Sequence, residues 1–375
     1  MKRDLLSPIQ ADLSKKIILI TGPRQCGKTT LSKMLSEEFE YLNFDSVAHR
    51  KIIQELSWDR TKPLVIFDEL HKMDKWKAWI KGVYDVEGLQ PEIVITGSAN
   101  LSAFRKVGDS LAGRHFLFHL HPITFQEACN NTDLDEQEIF SRLLTVGGFP
   151  EPFFNGKKTY YNRWRRSHID LILREDLIDL TAIRDIKGLE TLIELLKHRV
   201  GSPVSANSLA NDLQKSPKTV QAWLTLLENL YVIFRVSPYH KNIAKALTKQ
   251  PKYYFFDNAM VADDMGARFE NLIATSLLKD IHYAQDVEGI HYELFYIRNR
   301  NGYEIDFFIQ KENKPHRLIE AKWQDSDRSK NFNHFFEGYK NIHRLQVVAN
   351  LERQKTFRTG EVIQPASRFL KNTLG

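Results

Sequence analysis

The sequence predicts an α/β protein whose first part is built on a parallel β-sheet, followed by a small helical region and a second α/β region. In the first third, short apolar runs rich in β-branched residues alternate with helical patterns, which is typical of a parallel sheet. Two amphipathic helical segments separated by a short turn lie between residues 202 and 236. Near the C-terminus, an amphipathic helix precedes three strand-like runs.

Composition narrows the class of protein. The chain has 375 residues, enough for two or three domains, and its 42% hydrophobic and 27% charged content is that of a soluble globular protein. No apolar run approaches the ~20 residues that span a bilayer, and the first residues lack the apolar stretch of a signal peptide. Cys26 and Cys129 are too few for a disulfide framework. We therefore expect a cytoplasmic protein with no membrane partner.

The clearest chemical motif follows the first predicted strand, residues 15–21. It reads GPRQCGKTT and fits the phosphate-loop pattern G-x-x-x-x-G-K-S/T. In such a loop, backbone N–H groups face phosphate oxygens, Lys28 reaches the β- and γ-phosphates of ATP, and Thr29 is a Mg²⁺ ligand. The predicted nucleotide-binding residues are Gly22, Pro23, Arg24, Gln25, Cys26, Gly27, Lys28, Thr29, Thr30 and, from a later strand, Ser98.

Two further predicted strands end in polar side chains suited to the same chemistry. The run PLVIFDEL ends in Asp68, which would hold the Mg²⁺, and Glu69, which would orient the attacking water. The run EIVITGSAN ends in Ser98 and Asn100, which could sense the γ-phosphate. An apolar strand ending in two acids is weak alone, but it is strong evidence downstream of a phosphate loop.

Arg114 and three histidines lie around the next β-rich run. An arginine there could stabilise transition-state charge in a neighbouring subunit, although a surface ion pair explains the residue equally well. His115, His119 and His121 suggest a metal, but a further ligand is missing, and buried or edge histidines are the alternative.

Five segments together resemble a known family: GPRQCGKTT, FDELHKMDKW, ITGSANLS, LAGRHF…LHPITFQEA and VGGFPEPFF. They are similar to AAA+ ATPases that carry the domain of unknown function 4143, and the similarity covers nearly the whole chain. It implies an AAA+ core, a winged helix and a restriction-endonuclease-like domain of PD-(D/E)xK type. It also matches Arg114 to the family's Gly-Arg position, which favours a homo-oligomer. The expected domains are 1–150 (AAA+ core), 151–195 (helical lid or connector), 196–256 (winged helix-turn-helix) and 257–375 (nuclease-like).

The segment that follows the core, residues 157–180, is basic and aromatic in its first half. Its cations could contact nucleic acid. Alternatively, the segment is a helix that buries Tyr161, Trp164 and Ile169 and leaves its arginines solvated, the interpretation we favour.

Residues 202–236 parse as a helix-turn-helix. Ser205 would cap the first helix, and Ser216 with Pro217 would begin the second. The second helix would bury Val220, Trp223, Leu224 and Leu227 and expose Lys218, Thr219, Gln221 and Ala222. Two apolar runs, YVIFRVSPY (231–239) and PKYYFFD (251–257), would form the strands of the wing.

Charge favours DNA as the partner of this helix-turn-helix. Residues 197–252 contain nine basic and two acidic side chains, a net charge of +7. A local excess of this kind is a sign of a polyanion partner. Winged helices also serve as lids or protein-docking modules, and that alternative stays open.

The final motif places charge inside apolar strands. The run NGYEIDFFIQ contains Asp306, and LIEAKW contains Glu320 and Lys322. An acid on one strand and Glu-x-Lys on the next is the arrangement of restriction-endonuclease sites, which Glu270 would complete from the preceding helix. We expect Glu270, Asp306 and Glu320 to hold Mg²⁺ and Lys322 to orient or activate water. A buried ion-pair network, or an inert remnant used for binding, explains the same residues.

The sequence therefore predicts ATP hydrolysis with Mg²⁺, coupled to DNA binding and to possible DNA cleavage. The alternative is an ATP-switched regulatory protein that binds DNA or protein through a non-cleaving C-terminal domain.

Overall fold

The computed structural model describes residues 1–98, 111–176, 185–239, 250–299, 301–324, 327–335 and 342–375. The chain divides into two compact units. The first unit comprises Met1–Pro122, Ile169–Ala182 and Asn229–Tyr231. The second unit comprises Ile123–His168, Ile183–Glu228 and Val232–Gly375.

A five-stranded parallel sheet forms the centre of the first unit. Its strands are β1 (Ile17–Thr21), β2 (Glu40–Asn43), β3 (Leu64–Asp68), β4 (Glu92–Gly97) and β5 (His115–His119). They lie in the order β2-β3-β4-β1-β5, and every pairing is parallel. All residues of β1 and β3 are buried, which explains why these strands are continuous apolar runs instead of alternating ones. The predicted α/β fold with a parallel-sheet core is confirmed.

Helices and apolar side chains complete the first unit. Its described helices are α1 (Leu6–Asp12), α2 (Lys28–Lys33), α3 (Val47–Gln54) and α4 (Trp76–Glu87). Helix α4 buries Trp76, Ile80 and Val83, which recur at helical spacing and pack in one core with Trp58 and Phe67 from the sheet side. This core holds the strands in place, and the strand ends carry the candidate site.

Nine described helices begin in the second unit. They are α5 (Phe125–Asn131), α6 (Glu136–Thr145), α7 (Pro150–Asn155), α8 (Lys158–Leu171), α9 (Ile186–Lys197), α10 (Ala206–Leu213), α11 (Pro217–Asn229), α12 (Met265–Tyr283) and α13 (Ala366–Leu370). The predicted helix starts are confirmed in α10 and α11. The Ser205 side chain accepts from the backbone N–H of Ser208, and Ser216 Oγ accepts from that of Thr219 at 3.0 Å.

Helix α8 has the burial pattern of a packed helix. Tyr161, Trp164 and His168 are buried, while Arg163 and Arg166 on the other face are exposed. This is the arrangement expected for packing, and Ile169, which we expected to be buried, is half-buried.

An eight-stranded sheet forms the centre of the second unit. Its strands are β6 (Ile233–Pro238), β7 (Lys252–Phe255), β8 (Tyr292–Arg298), β9 (Glu304–Lys311), β10 (Lys314–Lys322), β11 (His343–Val348), β12 (Lys355–Thr356) and β13 (Glu361–Pro365). The order is β12-β13-β11-β10-β9-β8-β6-β7. Strands β6 and β7 form an antiparallel pair, and Ser237 and Pro238 of β6 pair with β8. One sheet therefore contains strands from both sides of the predicted boundary at residue 256.

Helix α12 begins at Met265, five residues before Glu270, because the Asp264 side chain accepts from the backbone N–H of Ala267 at 3.0 Å. The helix packs against β7, β8 and β10 and so brings Glu270 to the sheet. Across the described part of the chain, the helices are all too short or too polar to cross a bilayer.

Candidate functional site

The phosphate loop connects β1 to α2 and requires glycine at its first position. Gly22 has a φ of 151°, and a Cβ placed on it would lie 2.1 Å from the carbonyl oxygen of Leu120. A larger residue would force the loop away from the chain that follows β5. In the loop, Cys26 is buried, Arg24 is half-buried, and Gln25 and Thr30 are exposed.

The side chain of Lys28 folds over this loop. Its Nζ donates hydrogen bonds to the carbonyl oxygens of Gly22 at 3.0 Å and Pro23 at 2.8 Å, and the side chain is buried. Phosphate oxygens are stronger acceptors for an ammonium because they are charged. Lys28 is thus held where it can exchange two neutral carbonyls for an anion.

Asp68 stands at the carboxyl end of β3 and contacts three hydroxyl groups. Its Oδ2 accepts from Thr29 Oγ1 at 2.8 Å and from the Tyr41 hydroxyl at 2.6 Å, and its Oδ1 accepts from the Thr96 hydroxyl. The structure therefore brings together Thr29 and Asp68, the two residues predicted to hold Mg²⁺. Hydroxyl and carboxylate oxygens are the hard donors that Mg²⁺ prefers, so this donor set fits the ion.

Tyr41 is a member of the site that the sequence analysis missed. It lies in β2, which is paired with β3, and burial together with the Asp68 carboxylate raises the pKa of its phenol well above the ordinary value. The phenol therefore remains a hydrogen-bond donor to Asp68. The only signal for it is the short run EYLN, whose partner is a strand more than twenty residues later.

Glu69 follows Asp68 in a left-handed backbone conformation, with a φ of 55°. Its Oε2 accepts from Ser98 Oγ at 3.1 Å and lies 3.6 Å from Nδ1 of His71. Burial lowers the pKa of His71, and the neighbouring Glu69 carboxylate only partly opposes this effect, so the ring is neutral at neutral pH. Glu69 and Ser98, which were predicted separately for this site, are in contact, whereas Asn100 lies outside the described residues.

Arg3 is a second residue without a sequence signal. Its guanidinium donates to the carbonyl oxygens of Cys26 at 3.0 Å and His121 at 2.5 Å. Cys26 belongs to the phosphate loop, so Arg3, which precedes α1, stabilises the loop through a backbone carbonyl. No local pattern around a single arginine distinguishes this role.

Arg114 lies at the other end of the sheet. It precedes β5, whose register with β1 pairs Ile17 with His115 and Thr21 with His119. The phosphate loop begins after Thr21, so Arg114 is about five strand residues, or roughly 16 Å, from it. Its Nε forms an ion pair with Asp85 at 2.8 Å. Within one chain, Arg114 therefore forms the surface ion pair of the alternative interpretation and lies away from the phosphate loop.

The predicted C-terminal residues lie close together in the second unit. Strands β9 and β10 are neighbours, with Phe307 opposite Ile319. Asp306 Oδ2 accepts from the backbone N–H of Ala321 at 2.9 Å, and Lys322 Nζ lies 2.8 Å from Glu320 Oε1. As expected, β9 and β10 are adjacent, and Glu320 and Lys322 lie on the same face of β10.

A lysine that the sequence analysis did not assign to this site lies among these carboxylates. The Nζ of Lys252 is 2.7 Å from Glu304, 3.2 Å from Glu270 and 3.6 Å from Asp306. Burial raises the pKa of Glu270 and of Asp306, and the ammonium opposes that shift. Among the residues described, no three His, Cys, Asp or Glu side chains are grouped to hold a metal ion.

Glu320 does not contact Lys252 and has other partners. Its Oε1 accepts from Asn331 Nδ2 at 2.9 Å and faces Lys322, while its buried Oε2 contacts no hydrogen-bond donor within the described ranges. This single oxygen could serve a cation, but Glu270 and Asp306 are paired with an ammonium. The residues as a set therefore do not fit the Mg²⁺ site that the sequence predicts.

Among the basic side chains of residues 197–252 that the structure describes, all but Lys218 form ion pairs with acids. The ion pairs are Lys197–Glu194, Arg199–Asp212, Lys215–Asp185, Arg235–Glu228 and the Lys252 cluster. Most of these acids lie outside the counted segment, so the net charge of +7 overstates the local field. Lys218 is exposed at the start of α11, and Lys241, Lys245 and Lys249 lie outside the described residues.

Fold and site together define the class, a phosphate-loop protein with an AAA domain. Residues 14–129 match the family model described as an AAA domain. Residues 265–369 match the domain of unknown function DUF4143, and residues 137–268 match the domain of unknown function DUF8612. The two family models that the resemblance predicts, AAA and DUF4143, thus both match this chain, each over its own segment.

Relatives share this similarity along most of their length. An uncharacterized protein of Mycobacterium tuberculosis is 24% identical over 330 residues, covering 84% of this chain and 72% of the relative. An uncharacterized protein of Haemophilus influenzae is 25% identical over 339 residues, covering 79% and 80%.

Similarity to solved structures is distant. A RuvB variant from Thermotoga maritima has a TM-score of 0.34 and 16% identity, covering 62% of this chain and 87% of that one. A signal transduction ATPase with numerous domains from Pyrococcus horikoshii has a TM-score of 0.26 and 13% identity, covering 76% and 47%.

Proposed function

We propose that the protein binds ATP with Mg²⁺ and hydrolyses it at the site formed by the phosphate loop, Asp68 and Glu69. The observation that carries this proposal is the hydrogen bond between Thr29 and Asp68. Two oxygen donors from separate elements meet beside the lysine that would bind the phosphates, which is the donor set that phosphoryl transfer requires.

Each side chain has a definable role in this reaction. Lys28 exchanges the loop carbonyls for the β- and γ-phosphates, and Thr29 and Asp68 would hold Mg²⁺, which neutralises phosphate charge when bound. Glu69 orients the attacking water as a hydrogen-bond acceptor. Ser98 holds Glu69 at 3.1 Å and is placed to exchange that bond for one to the γ-phosphate.

The test is a Mg²⁺-dependent ATPase assay on the full chain. Lys28→Ala should abolish nucleotide binding or turnover, and Glu69→Gln should bind ATP but hydrolyse it slowly. Lys51→Ala, at an exposed lysine of α3, is the matched control and should be indistinguishable from wild type. Equal turnover in all four proteins would refute the proposal.

We further propose that ATP hydrolysis is coupled to DNA binding by residues 196–256. Helices α9 to α11 followed by the β6-β7 pair have the element order of a winged helix. On the outward face of α11, Lys218, Gln221 and Ala222 are exposed, whereas Thr219, which we expected to be exposed, is half-buried. Family resemblance at Arg114 supports a homo-oligomer in which this arginine acts on the neighbouring subunit's nucleotide.

A second candidate is an ATP-switched regulatory protein whose C-terminal domain binds without cleaving. The contacts of Lys252 favour it, because they occupy the carboxylates that a nuclease would use for metal. Incubation of the protein with linear, supercoiled and single-stranded DNA, with and without ATP, Mg²⁺ and Mn²⁺, distinguishes the two. Metal-dependent nicking lost in Lys322→Ala would exclude the second candidate.

A further inference from the structure

The ammonium of Lys252 has the surroundings of a bound cation. The side chain is completely buried, and its Nζ lies within 2.7–3.6 Å of oxygens from Glu270, Glu304 and Asp306. These acids come from α12 and β9, while the lysine is the first residue of β7. An ammonium has three N–H donors, so one proton is available for each carboxylate.

Neighbouring contacts fix this arrangement. The Tyr254 hydroxyl, two residues along the same strand, donates to Glu270 Oε1 at 2.7 Å. Gly201 has a φ of 79°, and a Cβ on it would lie 2.6 Å from Glu270 Oε2, so the glycine leaves room for the carboxylate. Asp306 directs its second oxygen to the backbone N–H of Ala321.

The positive charge of Lys252 explains why the three carboxylates can lie close together with little access to solvent. Each of these carboxylates alone would carry a large desolvation cost, and together they would repel. Burial acts to lower the pKa of Lys252, but the three acids raise it above the usual range for lysine, so the cation is permanent. Arg298 adds a second positive charge 3.7 Å from Glu304.

We propose that Lys252 is the resident cation of this cluster and takes the place of the divalent metal ion that the family resemblance implies. The C-terminal sheet then folds without metal. The same ammonium also connects β7, which pairs with β6, to α12 and β9. This inference is independent of ATP hydrolysis, since it concerns the second unit and is tested without nucleotide.

Removal of the ammonium should create a metal site. In thermal unfolding of the full chain, Lys252→Met should lower the Tm by about 5 °C or more, because it removes the central counter-charge of three half-buried acids, of which Glu304 alone keeps the nearby Arg298. MnCl₂ should restore at least half of that loss by binding the folded state, and it should leave the Tm of wild type unchanged. Lys371→Met is the matched control, since that lysine forms an exposed pair with Glu136.

A second variant locates the metal. Adding Asp306→Asn to Lys252→Met should remove the Mn²⁺ response. If Lys252→Met melts like wild type, or melts lower without responding to Mn²⁺, the proposal is overturned. It is also overturned if Mn²⁺ stabilises wild type and Asp306→Asn abolishes that effect. This last comparison decides the question even where Lys252→Met does not fold.

Discussion

The phenolic oxygen of Tyr41 lies 2.6 Å from Oδ2 of Asp68, the same carboxylate oxygen that Thr29 contacts at 2.8 Å. Two hydroxyl groups from different elements thus fix the orientation of the acid that would hold Mg²⁺. The third hydroxyl, from Thr96 on β4, fixes its other oxygen. Asp68 is therefore oriented before nucleotide arrives, and part of that orientation comes from a strand that the motif does not include.

We expect Tyr41→Phe to lower kcat/KM for ATP. A hydrogen bond to a charged group contributes about 1.5–3 kcal/mol, and Thr29 and Thr96 still hold Asp68 in the variant, so the loss should be roughly tenfold. The measurement is ATPase rate against Mg²⁺ concentration. Tyr84→Phe, in α4, is the matched control. An unchanged Mg²⁺ dependence in Tyr41→Phe would mean that the phenol is structural only.

Local chemistry made part of this structure predictable. The phosphate loop depends on consecutive residues, and its motif specifies glycine at position 22. The same holds for Ser205 and Ser216, whose capping bonds reach only three residues along the chain. Strands β1 and β3 were predictable because they are completely buried and carry a polar residue only at their last position, Thr21 and Asp68.

Long-range pairing was not predictable by the same means. Lys252 meets Glu270 and Glu304 only because β7 joins the C-terminal sheet, and nothing near the lysine specifies that pairing. For the same reason, the net charge of residues 197–252 does not predict the local charge of the folded surface, since Lys215 is paired with Asp185 outside the counted residues. Tyr41 and Arg3 likewise acquire their roles from partners distant in sequence.

For Arg114 we expect a role between subunits. It lies at the end of the sheet opposite the phosphate loop, so it cannot reach the nucleotide of its own chain. Arg114→Ala and Glu69→Gln proteins should each be inactive alone, and mixing them should restore part of the ATPase activity through one intact composite site. A monomer in sedimentation with ATP that hydrolyses normally without Arg114 would contradict this.

At Lys218 we expect a charge reversal to weaken DNA binding uniformly. This exposed lysine is the second residue of α11, and a contact between it and a DNA phosphate would carry no sequence information. Lys218→Glu should lower affinity for every duplex and reduce the slope of log affinity against log salt by about one. Lys187→Glu, at an exposed lysine of α9, is the control. Unchanged binding in Lys218→Glu would favour a lid or docking role for this helix.

The second unit contains a buried acid whose ionisation opposes folding. Asp257 accepts hydrogen bonds from the Tyr161 hydroxyl at 2.9 Å and the backbone N–H of Ala259 at 3.2 Å. Burial nevertheless raises its pKa to about 6, with Tyr161, Arg165 and Lys158 acting in the other direction. The folded protein therefore binds a proton more tightly than the unfolded chain does.

We expect this acid to make the protein less stable as pH rises from about 4 to 7. Because the folded pKa lies above the unfolded one, the ionisation cost is absent at low pH and complete by about pH 7. Asp257→Asn removes the titration, so the difference in unfolding free energy between this variant and wild type should shift by roughly 2–3 kcal/mol over that range, in favour of the variant. Urea unfolding at several pH values measures it. Tyr161→Phe removes a bond that lowers the pKa of Asp257, so the loss of stability with rising pH should extend to higher pH in that variant. A difference between Asp257→Asn and wild type that stays constant with pH would show that Asp257 does not titrate in this range.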